Sequence, residues 1–136
     1  MAWPQPAKGK AIPVSRTILI VDDNTLVRGL IRSWVEGHED WNVCGEAENG
    51  KTAVEKVEQL HPDIVLLDLQ MPVMNGLEAA RQISRVAPKT AMVMLTVHLS
   101  KQLLADARAA GIRDVVSKTE SLGEHLLSTL KLVCAA

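Results

Sequence analysis

The sequence predicts an α/β fold in which five strand–helix units, (βα)₅, form one five-stranded parallel sheet with helices on both faces. Two observations predict this fold. Short, continuous apolar runs recur along the chain, and such runs are typical of strands buried on both faces of a parallel sheet. Between the runs, apolar residues recur at the spacing of amphipathic helices. Because parallel strands are joined by right-handed crossovers, this alternation favours an open, doubly wound sheet.

The predicted strands differ in the strength of their pattern. Three runs are strongly apolar and predict the central strands, at Thr17–Val21 (TILIV), Asp63–Asp68 (DIVLLD) and Ala91–Leu95 (AMVML). Two weaker runs, Val43–Ala47 (VCGEA) and Ile112–Val116 (IRDVV), predict strands at or near the edges of the sheet.

A helix is predicted after each strand, because apolar residues there recur three and four positions apart. In chain order the apolar stripes are Leu26, Val27, Leu30, Ile31, Trp34 and Val35; Val54, Val57 and Leu60; Leu77, Ala80 and Ile83; Leu103, Leu104 and Ala107; and Leu122, Leu126, Leu130 and Val133.

Length and composition limit the classes of protein. With 136 residues, 47% of them hydrophobic, the chain can bury one core, so one domain is expected over residues 17–136. Residues 1–16 are rich in proline and lack periodicity, which predicts a flexible leader. The net charge of −1 gives no reason to expect direct binding of nucleic acid or anionic lipid. Without a membrane-spanning run or a signal peptide, we expect a cytoplasmic protein.

Polar residues follow the central strands at their carboxyl ends. Asp22 and Asp23 follow the first strand, Asp68 ends the third, Thr96 ends the fourth, and Lys118 comes shortly after the fifth. In an open parallel sheet these ends meet at one edge, where ligands bind. Three converging carboxylates repel one another unless a cation such as Mg²⁺ neutralises them.

Such a magnesium site would suit a phosphate as its second ligand. Lys118 offers a mobile positive charge for a phosphoryl oxygen, and Thr96 offers a hydroxyl donor. A carboxylate left free to attack phosphorus would then be the nucleophile.

The segments VDDN, DLQMPVMNG, LTVH and VVSK together resemble the signature segments of the response-regulator receiver domain. The resemblance extends from Thr17 to about Val133. It implies the flavodoxin-like, CheY-like strand order 2-1-3-4-5 and a signalling domain that catalyses only its own aspartate phosphorylation and dephosphorylation.

The resemblance also implies roles for individual residues. Asp68 would accept a phosphoryl group from the phosphohistidine of a sensor histidine kinase or phosphotransfer protein, and Thr96 and Lys118 would contact the phosphoryl oxygens. Asp22, Asp23, Asp68 and the backbone carbonyl of Gln70 would hold Mg²⁺. The output stays open: a homodimer and a DNA-binding effector domain outside this chain are both compatible with the resemblance.

Three positions depart from the family pattern. Val115 replaces the usual aromatic residue of the switch, Val97 replaces a small residue after Thr96, and Thr119 replaces a proline that often follows a cis bond; a trans bond is therefore expected. Val97, His98 and Val115 are consequently candidate switch or gating residues. A receiver-like interaction module that works without phosphorylation remains the alternative function.

The segment GEAENGKT, residues 45–52, fits the phosphate-loop pattern of nucleotide-hydrolysing enzymes. The predicted alternation argues against this function. Gly45 belongs to the second strand, Asn49 and Gly50 form the turn into the next helix, and Glu46 and Glu48 would repel a phosphate. A nucleotide hydrolase is therefore only a remote alternative.

Overall fold

The structure, a computed structural model, describes residues 15–119 and 121–135. Most of the predicted leader, residues 1–14, lies outside the described residues, so the flexible leader and its boundary remain predictions. Arg16, which the prediction assigned to the leader, is the first residue of the first strand.

The described chain alternates five strands and five helices, as the periodicity predicts. The strands are β1 (Arg16–Val21), β2 (Trp41–Ala47), β3 (Ile64–Asp68), β4 (Ala91–Thr96) and β5 (Asp114–Ser117). The helices are α1 (Thr25–Glu36), α2 (Gly50–Leu60), α3 (Gly76–Val86), α4 (Lys101–Ala109) and α5 (Leu122–Ala135). All paired strands are parallel and lie in the order β2-β1-β3-β4-β5, so the predicted fold class and strand order are confirmed.

Both faces of the sheet are covered, which explains why the central strands are apolar without alternation. One core packs α2, α3 and α4 against one face and includes Leu19, Leu67 and Met94. The other packs α1 and α5 against the opposite face and includes Ile20 and Leu66. Successive side chains of a strand point to opposite faces, so adjacent residues of β1, β3 and β4 divide between the two cores.

Side-chain caps fix where four of the helices begin. In each, an Asn or Ser oxygen at the N-cap accepts a hydrogen bond from the backbone N–H three residues later, satisfying a donor that the first helical turn leaves free. The capping residues are Asn24, Asn49, Asn75 and Ser100. Asn24 and Ser100 follow β1 and β4 closely, so the loops at the carboxyl ends of these strands are short.

The register brings the polar strand ends together. Val21 lies opposite Leu67, Asp68 opposite Leu95, and Thr96 opposite Ser117, so the residues that follow these positions share one edge of the sheet. The chain reverses its direction of winding between β1 and β3, the place where open sheets of this type bind ligands. Within the described ranges, no helix is long and apolar enough to span a bilayer.

Candidate functional site

A charged triad forms the base of the site beyond the carboxyl ends of the strands. Lys118 Nζ lies 2.6 Å from Asp22 Oδ2 and 3.0 Å from Asp68 Oδ1. Asp22 and Asp68 are buried, and the Lys118 side chain is 15% exposed. These ion pairs are therefore poorly screened by solvent, and each partner would be costly to leave alone.

Burial and neighbouring charges act on Asp68 in opposite directions. Burial raises the pKa of the Asp68 carboxyl, the hydrogen bond from Lys118 lowers it, and the negative charges of Asp22 and Asp23 raise it again. The net effect is a pKa above the ordinary value. The pocket thus holds more negative charge than its single lysine balances, which is the condition for recruiting a cation.

Lys118 is held as a cation by its two carboxylate partners. Burial lowers the pKa of its ammonium group, but the hydrogen bonds to Asp22 and Asp68 outweigh burial and leave the pKa above the ordinary value. Its backbone N–H also donates to the Thr96 carbonyl at 2.7 Å, which ties the end of β5 to β4. The described residues contain no cis peptide bond, so the bond between Lys118 and Thr119 is trans, as predicted.

Thr96 is buried at the end of β4, where its hydroxyl bonds to the next loop. The Thr96 Oγ1 atom accepts from the His98 N–H at 3.2 Å and lies 3.3 Å from the His98 carbonyl oxygen, to which it donates. In this structure the hydroxyl is therefore engaged with the β4–α4 loop. A ligand beside Asp68 would compete with His98 for it.

The predicted site residues surround one open cleft of about 630 Å³. The structure brings together Asp22, Asp23, Asp68, Gln70, Thr96, Val97, His98 and Lys118. Val97 is 63% exposed at the mouth, and Gln70 and His98 are also exposed. Val27 and Met71 add apolar lining that the sequence did not indicate.

The acidic side chains of the cleft fit a hard divalent cation. One carboxylate oxygen from each of Asp22, Asp23 and Asp68 lies within 4.8 Å of the others. Asp22 and Asp68 are buried, whereas Asp23 is exposed, so an ion bound here would keep access to water. Oxygen ligands with retained water suit Mg²⁺.

Arg28 contacts the site from α1, and the sequence analysis missed it. Its Nη1 donates to the Asp22 carbonyl at 2.6 Å, and its Nε bonds Glu46 Oε1 at 2.9 Å. Asp22 is held further by the Asn24 N–H, which donates to Oδ1 at 2.9 Å. Its position in the sequence could have indicated this contact. Arg28 lies one helical turn after the Asn24 cap, and side chains of a helix tilt toward its amino end, here toward the end of β1.

The loop after Asp68 closes tightly against the strand end. The Gly76 N–H donates to the Leu69 carbonyl at 2.7 Å, and a Cβ atom at Gly76 would lie 2.2 Å from the Asp68 carbonyl oxygen. A larger residue would therefore displace the backbone beside Asp68. This explains the glycine that ends DLQMPVMNG.

Val115 does not line the cleft. It lies on β5 opposite Met94 and is half-buried against the core that contains α4. The other two predicted gating residues, Val97 and His98, lie at the mouth of the cleft. Val115 therefore packs against the core that contains α4 and does not line the cleft.

The phosphate-loop pattern is not built as a phosphate loop. Gly45 lies within β2, and Asn49 caps α2. Two of the N–H groups at this turn are already bonded: Gly50 donates to the Met74 carbonyl at 3.1 Å and Thr52 to Asn49 Oδ1 at 2.9 Å. Glu46, which such a loop would exclude, pairs with Arg28 and Arg32. This geometry disfavours the nucleotide-hydrolase alternative.

The chain is similar to several known proteins along most of its length. A chemotaxis protein CheY of Thermotoga maritima is 33% identical over 77% of this chain and 87% of its own length. The transcriptional regulatory protein YdfI of Bacillus subtilis is 38% identical over 83% of this chain and 52% of its own. A protein-glutamate methylesterase/protein-glutamine glutaminase of Methanosarcina acetivorans is 43% identical over 76% of this chain and 30% of its own.

A solved structure shows the same fold. The response regulator domain of Thermotoga maritima CheB superposes with a TM-score of 0.84 at 26% identity, covering 90% of this chain and 98% of that domain. The chain nevertheless spans only about a third to a half of several curated relatives, so what those longer proteins do beyond this domain is a property of those proteins.

The family model described as "Response regulator receiver domain" matches residues 18–130, which include every predicted residue of the cleft. The predicted resemblance is thereby confirmed. Together with the strand order and the acidic cleft, this match shows that the chain belongs to the response regulator receiver domain family of two-component signalling.

Proposed function

We propose that Asp68 accepts a phosphoryl group from the phosphohistidine of a sensor histidine kinase or phosphotransfer protein, and that this modification changes the state of the domain. The observation that carries the proposal is the buried triad, in which Lys118 bridges Asp22 and Asp68 beside the exposed Asp23. A carboxylate oxygen of Asp68 attacks phosphorus, the bond from phosphorus to the imidazole nitrogen breaks, and an acyl phosphate forms.

Each residue of the cleft has a role in this proposal. Lys118 turns from the carboxylates toward a phosphoryl oxygen, and the Thr96 hydroxyl leaves His98 to donate to another. The carboxylates of Asp22, Asp23 and Asp68, with the Gln70 carbonyl, would hold Mg²⁺. The ion would supply positive charge for the oxygens of the transferring group.

Phosphorylation by a small donor tests the proposal directly. With Mg²⁺ and acetyl phosphate, the chain should gain one phosphoryl group by intact-mass measurement, and Asp68→Asn should gain none. Asp106→Asn on α4, outside the cleft, is the matched control and should be modified like the parent. Full modification of Asp68→Asn would show that the nucleophile is assigned wrongly.

The alternative, an interaction module that works without phosphorylation, draws support from Val97 and Val115. Val97 is 63% exposed where the family pattern has a small residue, and Val115 replaces the aromatic switch residue. The same experiment separates the two functions, because a module of this kind would stay unmodified while keeping its fold.

The activity of any longer protein is also part of the proposal. Within this domain we expect no reaction beyond the phosphorylation and dephosphorylation of Asp68, in a cytoplasmic protein. Effector domains that bind DNA or act as methylesterases would be segments outside the described residues. A second copy of the chain in a homodimer, and the kinase, would be separate partners.

A further inference from the structure

The arginines that lack an ion-pair partner among the described residues gather at one place in the fold. Arg28 and Arg32 pair with Glu46, and Arg81 pairs with Glu78. The four remaining arginines line two pockets. These arginines are Arg16, Arg85, Arg108 and Arg113. Both pockets lie near the ends of the strands where the chain enters the sheet, whereas the phosphorylation cleft lies at the opposite ends of the strands.

The first pocket, which we call the arginine groove, lies between the carboxyl ends of α3 and α4 and has a volume of about 390 Å³. Arg81 and Arg85 border it from α3, and Arg108 from α4. Small residues at 109–111 contribute to its lining. The positive φ of 91° at Gly111, where a Cβ atom would lie 2.2 Å from Ser84 Oγ, keeps this position free of a side chain.

The second pocket, the basal pocket, has a volume of about 170 Å³ and is bordered by Arg16, Lys89 and Arg113. Its one acidic lining residue, Asp63, accepts hydrogen bonds from the N–H and the hydroxyl of Thr17. Three cations therefore face one carboxylate whose Oδ2 atom is already engaged.

The two pockets are close neighbours along the chain. Gly111 lines the arginine groove and Arg113 lines the basal pocket, so their Cα atoms are at most about 7 Å apart. The local charge is positive, because the linings of the two pockets contain six basic residues and one acidic residue, against a net charge of −1 for the whole chain. The basic residues are Arg16, Arg81, Arg85, Lys89, Arg108 and Arg113; the acidic residue is Asp63.

Helix dipoles explain only part of this arrangement. Arg85 and Arg108 lie in the last turns of α3 and α4, where a cation is favourable. Arg16 begins β1, and Lys89 and Arg113 lie in loops. The last turn of α5 also lines their pocket, but a single helix end is shared among these three cations. Their convergence points to an anionic ligand.

We propose that the arginine groove and the basal pocket together bind a short acidic segment of a partner protein. Their linings offer six basic side chains and one acidic side chain, so carboxylates of such a segment would find cations in both pockets. Guanidinium groups bind carboxylates through paired hydrogen bonds, which favours arginine at such a surface.

A nucleic acid duplex fits this surface less well. Its affinity depends on many phosphate contacts spread over a broad cationic face, whereas the cations here surround two small pockets on a domain of net charge −1. Duplex binding is therefore a distinct outcome of the test.

The experiment measures binding of the whole chain to a fluorescently labelled peptide of five Glu-Ser repeats, with five Gln-Ser repeats as the neutral control. We expect the acidic peptide to bind at about 20 mM salt and to weaken strongly at about 300 mM, as screening requires. The double variant Arg85→Gln/Arg108→Gln and the single variant Arg113→Gln should each weaken binding at least about 5-fold, since each removes paired hydrogen bonds. The matched control Lys51→Gln/Lys101→Gln removes two charges from exposed positions outside both pockets and should change binding less than about 2-fold.

Three results would overturn the proposal. The acidic peptide could fail to bind the parent chain at low salt, or the arginine double variant could behave like the lysine control. A mixed-sequence DNA duplex that binds more tightly than the peptide through the same arginines would replace the acidic segment with nucleic acid. Unchanged thermal unfolding and unchanged phosphorylation of the variants would show that the loss is local to this surface.

Discussion

Gln70 and His98 are exposed at the mouth of the cleft, and both lie two positions after a residue proposed to contact the phosphoryl group. A polar side chain there can orient or exclude the water that hydrolyses an acyl phosphate. We expect Gln70→Ala and His98→Ala to change the rate of dephosphorylation by about 2-fold to 10-fold, below the full effect of a general acid or base. The loss of phosphoryl group from purified phosphoprotein measures this rate. If both single variants and the double variant lost the phosphoryl group at the same rate as the parent, a gating role would be ruled out.

Arg28 holds the backbone of Asp22 while it pairs with Glu46. Arg28→Lys keeps the positive charge, but one ammonium group cannot reproduce the two hydrogen bonds that the planar guanidinium makes. We therefore expect Mg²⁺ to bind about 3-fold to 10-fold more weakly, which is near the low end of the effects seen when a residue that orients metal ligands is changed. Chemical-shift titration with magnesium chloride measures the affinity. Arg32→Lys is the matched control, because Arg32 also pairs with Glu46 but makes no hydrogen bond to Asp22. Equal affinities in the two variants would contradict a positioning role for Arg28.

The sequence predicted which side chains meet in the cleft because each of these polar residues lies at or just after the carboxyl end of an apolar strand. Asp22, Asp68, Thr96 and Lys118 could be placed at one edge from the strand pattern alone. Arg28 could not, because its contact with the Asp22 carbonyl depends on how α1 packs across β2. The bond between Thr96 and His98 was equally hidden, since the conformation of a loop does not follow from periodicity.

At the scale of elements, α1 is joined to β2 by one carboxylate. Glu46 Oε1 pairs with Arg28 at 2.9 Å, and Oε2 pairs with Arg32 at 2.8 Å. Partial burial raises the pKa of Glu46, but the hydrogen bonds from Arg32 and Arg28 outweigh burial and hold the pKa below its ordinary value. The charged form of Glu46 therefore stabilises the folded state.

We expect Glu46→Gln to lower the free energy of unfolding at neutral pH by roughly 1 kcal/mol, as for a partly exposed ion-pair network. Because the pKa of Glu46 is lower in the folded than in the unfolded chain, its contribution is present above the unfolded value and is lost as the pH falls through the folded value. Urea unfolding at several pH values should show the difference between parent and variant shrinking below the ordinary value of 4.5. A difference that stays constant down to complete protonation would contradict this origin. Glu58→Gln, at an exposed position of α2, serves as the control.

The element boundaries show where periodicity stops being sufficient. β5 begins at Asp114 rather than at Ile112, because the Ile112 N–H donates to the Ala107 carbonyl and so completes the end of α4. β2 begins at Trp41, two residues before the predicted run, because the strand pairs with β1 from Arg16 onward. In both cases a backbone hydrogen bond outside the apolar run decides the boundary.

At the scale of the whole molecule, phosphorylation must act through contacts that differ between two states. Thr96 and Lys118 are the groups proposed to move toward a phosphoryl group, and Thr96 is bonded to His98 of the β4–α4 loop. Val115 is smaller than an aromatic ring and stiff at χ1, so it cannot swing from exposed to buried as an aromatic side chain can. The change should therefore concentrate in residues 97–100 and the beginning of α4.

Backbone amide shifts with and without beryllofluoride measure this distribution. We expect large shifts along Val97–Ser100 and weak shifts on the outer face of β5 and along α5. Shifts of equal size at residues 112–116 and 122–130 would contradict this restricted switch. Val115→Phe tests the reason, because an aromatic ring at this position should extend the response into β5.

The assignment of Asp68 as the phosphoacceptor is tested most directly by locating the modification. After treatment with acetyl phosphate and Mg²⁺, hydroxylamine converts an aspartyl phosphate into a hydroxamate, which peptide mass spectrometry assigns to one residue. We predict the hydroxamate at Asp68 alone, since this carboxylate is buried beside Lys118 and shares its pocket with the other two carboxylates proposed to hold the ion. A hydroxamate at Asp22 or Asp23, or none in a folded protein, would contradict that prediction.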